Sequence, residues 1–142
     1  MSDNKQVALV TGASSGIGKE FARRLAAEGL GVVLVARREA PMQELAAQLQ
    51  QRHGVPTRVL AMDLSQPGAG AALAKAVEDL EIGRLVANAG TGWIGRFDLQ
   101  APEDHGALIR LHCEMHVDLT ARLLPPMKAR GRGGVIVVSS MG

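Results

Sequence analysis

Five short apolar runs punctuate the chain: Val7–Val10, Gly31–Ala36, Thr57–Ala61, Arg84–Ala87 and Val135–Val138. Runs this short, apolar at almost every position, predict parallel strands buried on both faces. Thr57–Ala61 is the least apolar, which places it nearer a sheet edge. Helix-period patterns fill the intervals. After the first run, Ile17, Phe21 and Leu25 share one face, with Lys19, Glu20, Arg23 and Arg24 opposite, until Gly29 stops the helix. Glu39 to His53 repeats Met42, Leu45, Ala46 and Leu49 at helical spacing, and Gly54-Val55-Pro56 ends it. Pro67 to Glu81 predicts a third helix through Leu73, Val77 and Leu80, broken by Gly83. The loop Thr91 to Ala101 precedes a long helix from about Pro102 to the Pro125-Pro126 pair. Leu108, Leu111, Met115, Leu119 and Leu123 cover one side of it; Arg110–Glu114 and Asp118–Arg122 form opposite-sign i,i+4 pairs on a wet edge.

Regular alternation of strand and helix predicts an α/β fold with a doubly wound parallel sheet. Right-handed crossovers give the strand order 3-2-1-4-5 and a crevice at the carboxyl ends of strands 1 and 4. Thr11-Gly12-Ala13-Ser14-Ser15-Gly16-Ile17-Gly18 follows the first strand directly and opens the first helix. Gly12 permits the tight turn, Gly16 leaves room for backbone to approach a pyrophosphate, and Gly18 lets the helix pack closely. The helix N-terminus adds free N–H groups and partial positive charge. Asn88-Ala89-Gly90, after the fourth strand, falls at the same crevice.

Composition narrows the function classes. With 142 residues, 46% of them hydrophobic, the chain is one domain with a real core. The net charge of +2 is scattered and the aromatic content is 2%, so a nucleic-acid surface has no support. No apolar run is long enough to span a bilayer. The polar start Met1–Gln6 leaves no room for a signal peptide, and the lone Cys113 fits a reducing, cytoplasmic setting. His105, His112 and His116 lie near one helical face, but without a carboxylate or a third fixed ligand they do not make a metal site.

With these segments placed, the chain resembles the short-chain dehydrogenase/reductase family along its whole length. Thr11 to Gly18 matches the family's Thr-Gly-x-x-x-Gly-x-Gly loop, which implies cofactor contacts from Gly12, Ser14, Ser15, Gly16, Ile17 and Gly18. Asp63-Leu64 matches its acidic-apolar pair, whose implied role is to hold an adenine ring. Ala87-Asn88-Ala89-Gly90 matches its Asn-Asn-Ala-Gly element except at Ala87, which implies that Asn88 braces the central strand while Ala89 and Gly90 lie beside a ribose. Leu119-Thr120, Leu124-Pro125, Met127 and Gly134-Val135-Ile136-Val137-Val138-Ser139-Ser140 continue the resemblance. It also implies self-association of a full-length protein through the long helix.

Charge then argues for the cofactor. A preference for NAD would place a carboxylate at the end of the second strand. Here Ala36 is followed by Arg37 and Arg38, which suit the 2′-phosphate of NADP instead. The resemblance implies hydride transfer on a carbonyl or alcohol substrate by a Ser, a Tyr and a Lys four residues after that Tyr. Ser140 matches the catalytic serine, and His112 stands where the family has an active-site Asn whose backbone carbonyl helps hold a water. The chain contains no tyrosine at all. Val135–Val138 is also an apolar strand that wants a neighbour on each side. The expectation is therefore the NAD(P)-binding, N-terminal portion of a longer single-domain enzyme, residues 1–142 being inactive alone. The rival expectation is a non-catalytic nucleotide-binding module that senses or regulates.

Overall fold

The runs around Ala8, Val33 and Val86 become strands shielded by helices on both faces, whereas Thr57–Leu60 is only half-buried and Ile136 and Val137 of the last run are exposed, so the expected burial on both faces does not hold for these two edge strands. In the computed structural model, residues 6–140 are described; the polar lead Met1–Lys5 and the terminal Met141-Gly142 lie outside them. The elements are β1 (Val7–Thr11), α1 (Gly16–Ala27), β2 (Gly31–Ala36), α2 (Glu39–His53), β3 (Thr57–Ala61), α3 (Ala69–Ala76), β4 (Ile82–Ala87), α4 (Pro102–Ile109), a π-helical turn (Arg110–Glu114), α5 (Met115–Arg130) and β5 (Gly134–Val137). The five strands form one parallel sheet in the order β3-β2-β1-β4-β5. This is the doubly wound Rossmann arrangement, with β3 at an edge as its weaker apolar pattern predicts.

Side-chain alternation along each strand divides the core in two. Leu9, Val33 and Leu85 point to one face, under Leu73 of α3 and Met115, Leu119, Leu123 and Met127 of α5. Ala8, Val10, Val32, Leu34 and Val86 point to the other, under Ala22 and Leu25 of α1 and Met42, Leu45 and Leu49 of α2. Emptying a fully buried site such as Leu119 by substitution with Ala would cost about 2–5 kcal/mol. No helix among the described residues is long and apolar enough to cross a membrane.

Several boundaries differ from the pattern in the sequence, each for a local reason. The buried face of α1 is Gly18, Ala22, Leu25 and Ala26, with Phe21 half-buried and Ile17 exposed at the crevice. The third helix spans Ala69–Ala76 rather than Pro67–Glu81. Arg58, on the edge strand, donates to the Ala76 carbonyl at 3.1 Å and grips Asp79 at 2.8 and 2.7 Å, drawing this stretch out of helical pairing. Gly83 lies inside β4, where the Gln6 side chain occupies the space a Cβ would need. α5 runs through Pro125 and Pro126 to Arg130, because the carbonyls these prolines leave unpaired, at Ala121 and Arg122, are on an exposed face that water can reach. Gly131, at φ +69°, ends it. The fifth strand is Gly134–Val137, although the Val138 amide still donates to the Ala87 carbonyl at 3.0 Å. Asp118 and Arg122 pair at 3.0 Å, but Arg110 is half-buried and turns away from Glu114 to the Ser65 carbonyl, 2.7 Å from its Nε.

Candidate functional site

The crevice begins where β1 and β4 end side by side. Thr11 closes β1 and is fully buried, so its hydroxyl must find partners inside the protein. It donates to the Val86 carbonyl at 3.3 Å and accepts from the amides of Asn88 and Ala89, both at 2.9 Å. Asn88 answers from the other side, its Nδ2 donating to the carbonyls of Thr11 at 3.2 Å and Gly12 at 3.4 Å. These bonds hold the two strand ends together and fix the peptide groups that face the crevice.

The glycine turn follows from this crowding. A Cβ at Gly12 would lie 2.7 Å from Asn88 Nδ2 and 3.0 Å from Ala89 Cα, and the residue has φ +67°. A Cβ at Gly18 would collide with the Gly12 carbonyl and lie 2.6 Å from Asn88 Nδ2. Gly16 is different: its φ is +56°, yet a Cβ there would meet no protein atom within 4 Å. The space above Gly16 is open to the crevice. Ser15 is the N-cap of α1 but makes no side-chain capping bond, so the first-turn amides are left for another acceptor.

Around this turn lies a crevice of about 1220 Å³. Gly12, Ser14, Ser15, Gly16 and Ile17 line its floor, Arg37 and Arg38 the end of β2, Asp63 and Leu64 the turn after β3, and Asn88, Ala89 and Gly90 the end of β4. Among the described residues, neither Arg37 nor Arg38 forms an ion pair, and both line this space. Asp63 is committed. Its Oδ1 accepts from the Ser65 hydroxyl at 2.6 Å and amide at 3.0 Å, and its Oδ2 from Gln66 at 3.1 Å. These bonds, with the nearby charge of Arg37, hold its carboxyl below the usual range despite a small opposing effect of burial.

The opposite wall comes from α4, through Asp104, Ala107 and Leu108, and from Leu111 in the π-helical turn. His112 lies in that turn, exposed, with its ring against Gly90 and its Nε2 against the Thr91 backbone. One turn later His116 is buried, and its Nδ1 has no partner among the described residues. Burial holds its imidazole below the ordinary histidine range; the Ala89 backbone opposes this, and His112 reinforces it. His105 instead stacks on Phe97, with ring centroids 4.0 Å apart. His105 thus stands apart from His112 and His116, which lie one turn apart and influence each other. Ser140 is exposed just beyond β5, at the same carboxyl edge of the sheet.

Residues 6–142 match the family profile described as short chain dehydrogenase. The chain belongs to the short-chain dehydrogenase/reductase family. Over 133 residues it is 35% identical to the 7beta-hydroxysteroid dehydrogenase of Collinsella aerofaciens, an alignment covering 94% of this chain and 51% of the relative. Among solved structures, the bulky-bulky ketone specific alcohol dehydrogenase from Comamonas testosteroni superposes with a TM-score of 0.90 at 34% identity, covering 97% of this chain and 56% of that one. A short-chain dehydrogenase from Sphingobium yanoikuyae in complex with NADPH gives 0.89 at 37% identity, covering 96% and 54%. The chain therefore spans about half the length of the relatives it matches.

Of the residues singled out in the sequence, the structure gathers all but Gly18, His112 and Ser140 onto the crevice wall. Gly18 lies beneath the turn, His112 behind Gly90, and Ser140 on the neighbouring strand end. The sequence reading missed the Thr11 hydroxyl, whose signal was a single polar residue ending an apolar strand. It also missed Arg110 and the α4 wall, for which helical periodicity carries no signal.

Proposed function

We propose that this chain is the cofactor-binding, N-terminal portion of an NADP-dependent oxidoreductase acting on a carbonyl or alcohol substrate. The observation that carries this reading is the pairing, in one crevice, of an open glycine turn at an uncapped helix start with two uncommitted arginines. The fit to a dinucleotide phosphate is chemical: free amides and a helix N-terminus suit a pyrophosphate, and a guanidinium suits the 2′-phosphate. The relative crystallised with NADPH supports the same choice.

When bound, the nicotinamide supplies or accepts the hydride. The residues of this chain hold the cofactor and polarise the substrate at the crevice. The amides of Ser14 to Gly18 bind the pyrophosphate, Arg37 and Arg38 select the 2′-phosphate, and Asp63-Leu64 flank the adenine. Asn88 fixes the strand ends so that Ala89 and Gly90 lie beside the ribose. Ser140 donates its hydroxyl proton as a hydrogen bond to the substrate oxygen, where negative charge develops. His112 takes the place of the family Asn and offers its backbone carbonyl to a water. With no tyrosine in the sequence, the proton itself is moved by a group outside these residues. The names of the steroid- and ketone-specific relatives favour a carbonyl carbon with bulky substituents. Cytoplasmic location and self-association of the full-length protein complete the proposal.

The test is an NADPH-oxidation assay of the full-length protein over aldehydes, simple ketones and keto-steroids, with Ser140→Ala as comparison. Turnover that falls about 100-fold or more in the variant supports the reading. NADPH binding without turnover on any carbonyl would favour the non-catalytic nucleotide-binding module.

A further inference from the structure

We infer that Arg110 is a positioning residue that holds the two walls of the crevice at the spacing an adenosine group needs. The inference rests on the NADP reading above. One wall is the Asp63-Leu64-Ser65 turn; the other is Ala107, Leu108 and Leu111. Arg110 joins them: its Nε donates to the Ser65 carbonyl at 2.7 Å across 45 residues of sequence, in a half-buried setting. Among the described residues no other hydrogen bond links these walls.

The bond is selective. Glu114 lies one turn along and would be the ordinary partner for a solvated arginine, yet Arg110 reaches the backbone carbonyl instead. The guanidinium passes over Gly106, where an added Cβ would lie 3.4 Å from its Nη1.

What Arg110 holds is itself ordered. Ser65 donates its amide and hydroxyl to Asp63 Oδ1, and Gln66 closes on Oδ2. Leu64, buried between them, and Leu111, next to Arg110 in sequence, face the crevice from opposite sides. A planar base between two such apolar walls gains contact only while their separation is fixed. The π-helical turn that carries Arg110 inserts an extra residue into the helix, which shifts the register of this wall. The Arg110–Ser65 bond pins that register to the β3 side.

The experiment titrates the protein with adenosine 2′,5′-bisphosphate, which carries the adenine end, and with reduced nicotinamide mononucleotide, which lacks it. Arg110→Met keeps the stem and removes the donor; Arg110→Lys retains charge and a donor of different reach. Arg110→Met is expected to lose on the order of tenfold in affinity for the bisphosphate with an unchanged constant for the mononucleotide. Arg110→Lys is expected to recover part of the loss. If Arg110→Met does not fold, the same ligand split must show in Arg110→Lys against the wild type. Equal loss for both ligands, or no loss for either, would overturn the inference while leaving the cofactor reading intact. A wild-type protein that does not bind the bisphosphate would overturn that reading and the inference with it.

Discussion

The Nε2 atom of His112 lies 2.6 Å from the carbonyl oxygen of Thr91 and 3.1 Å from its amide nitrogen. One ring atom thus faces both the acceptor and the donor of a single residue. As Nε2–H it can donate to the carbonyl; bare, it can accept from the amide; it cannot do both. The catch holds Thr91, and with it Gly90, against the helix through whichever tautomer is present. An asparagine side chain carries donor and acceptor on separate atoms. His112→Asn is therefore expected to protect the Thr91 amide from hydrogen exchange at least as well as histidine does. His112→Ala is expected to raise that exchange rate. Unaltered exchange in the alanine variant would show that the contact does not hold the loop.

His116 gives the fold a pH dependence of known sign. Burial depresses its imidazole in the folded protein, so between its folded and unfolded values the unfolded chain binds the extra proton. Stability is complete above the unfolded value, about 6.5, and falls as pH drops below it. Thermal unfolding between pH 8 and 5 is expected to show a declining midpoint that flattens in His116→Gln. The lowered carboxyls of Asp63 and Asp79 act separately, their contributions being lost only as pH falls through the carboxylate range. A His116→Gln curve parallel to the wild type would contradict this assignment.

Gly18 and Gly16 should fail in different ways. Gly18→Ala places a methyl against the Gly12 carbonyl and Asn88, and is expected to cost about 1–3 kcal/mol in denaturant unfolding. At Gly16 an added Cβ meets no protein atom, so the cost of Gly16→Val to the fold is set by the left-handed backbone, at least about 1–2 kcal/mol. Its side chain stands in the open space of the crevice. NADPH binding should vanish while the circular dichroism of the α/β fold remains. Retained micromolar affinity would contradict the phosphate role of the turn.

The sheet was legible because buried parallel strands have to be apolar along their whole length, and the order 3-2-1-4-5 follows once crossover handedness is fixed. Gly12, Gly16 and Gly18 were legible because each answers a backbone requirement that other residues meet poorly. What escaped was set by contacts distant in sequence. The end of α3 depends on Arg58 reaching Asp79 from another strand, and the partner of Arg110 is a backbone carbonyl rather than its neighbour Glu114. The prolines of α5 are tolerated because of where that helix meets solvent, which local pattern does not encode. Ile17 sits at the right helical spacing for the core, but its position at the helix start places it at the crevice.

In the proposed reading, the uncommitted charge at the end of β2 selects NADP. The most direct measurement is a pair of titrations, NADPH and NADH, on the wild type and on Arg37→Asp. The wild type is expected to bind NADPH more tightly than NADH. In the variant, NADPH affinity falls by about 2 kcal/mol, roughly thirtyfold, through loss of a charge-assisted contact, while NADH affinity is unchanged or improved. Equal losses for the two cofactors, or a wild type that binds them alike, would contradict it.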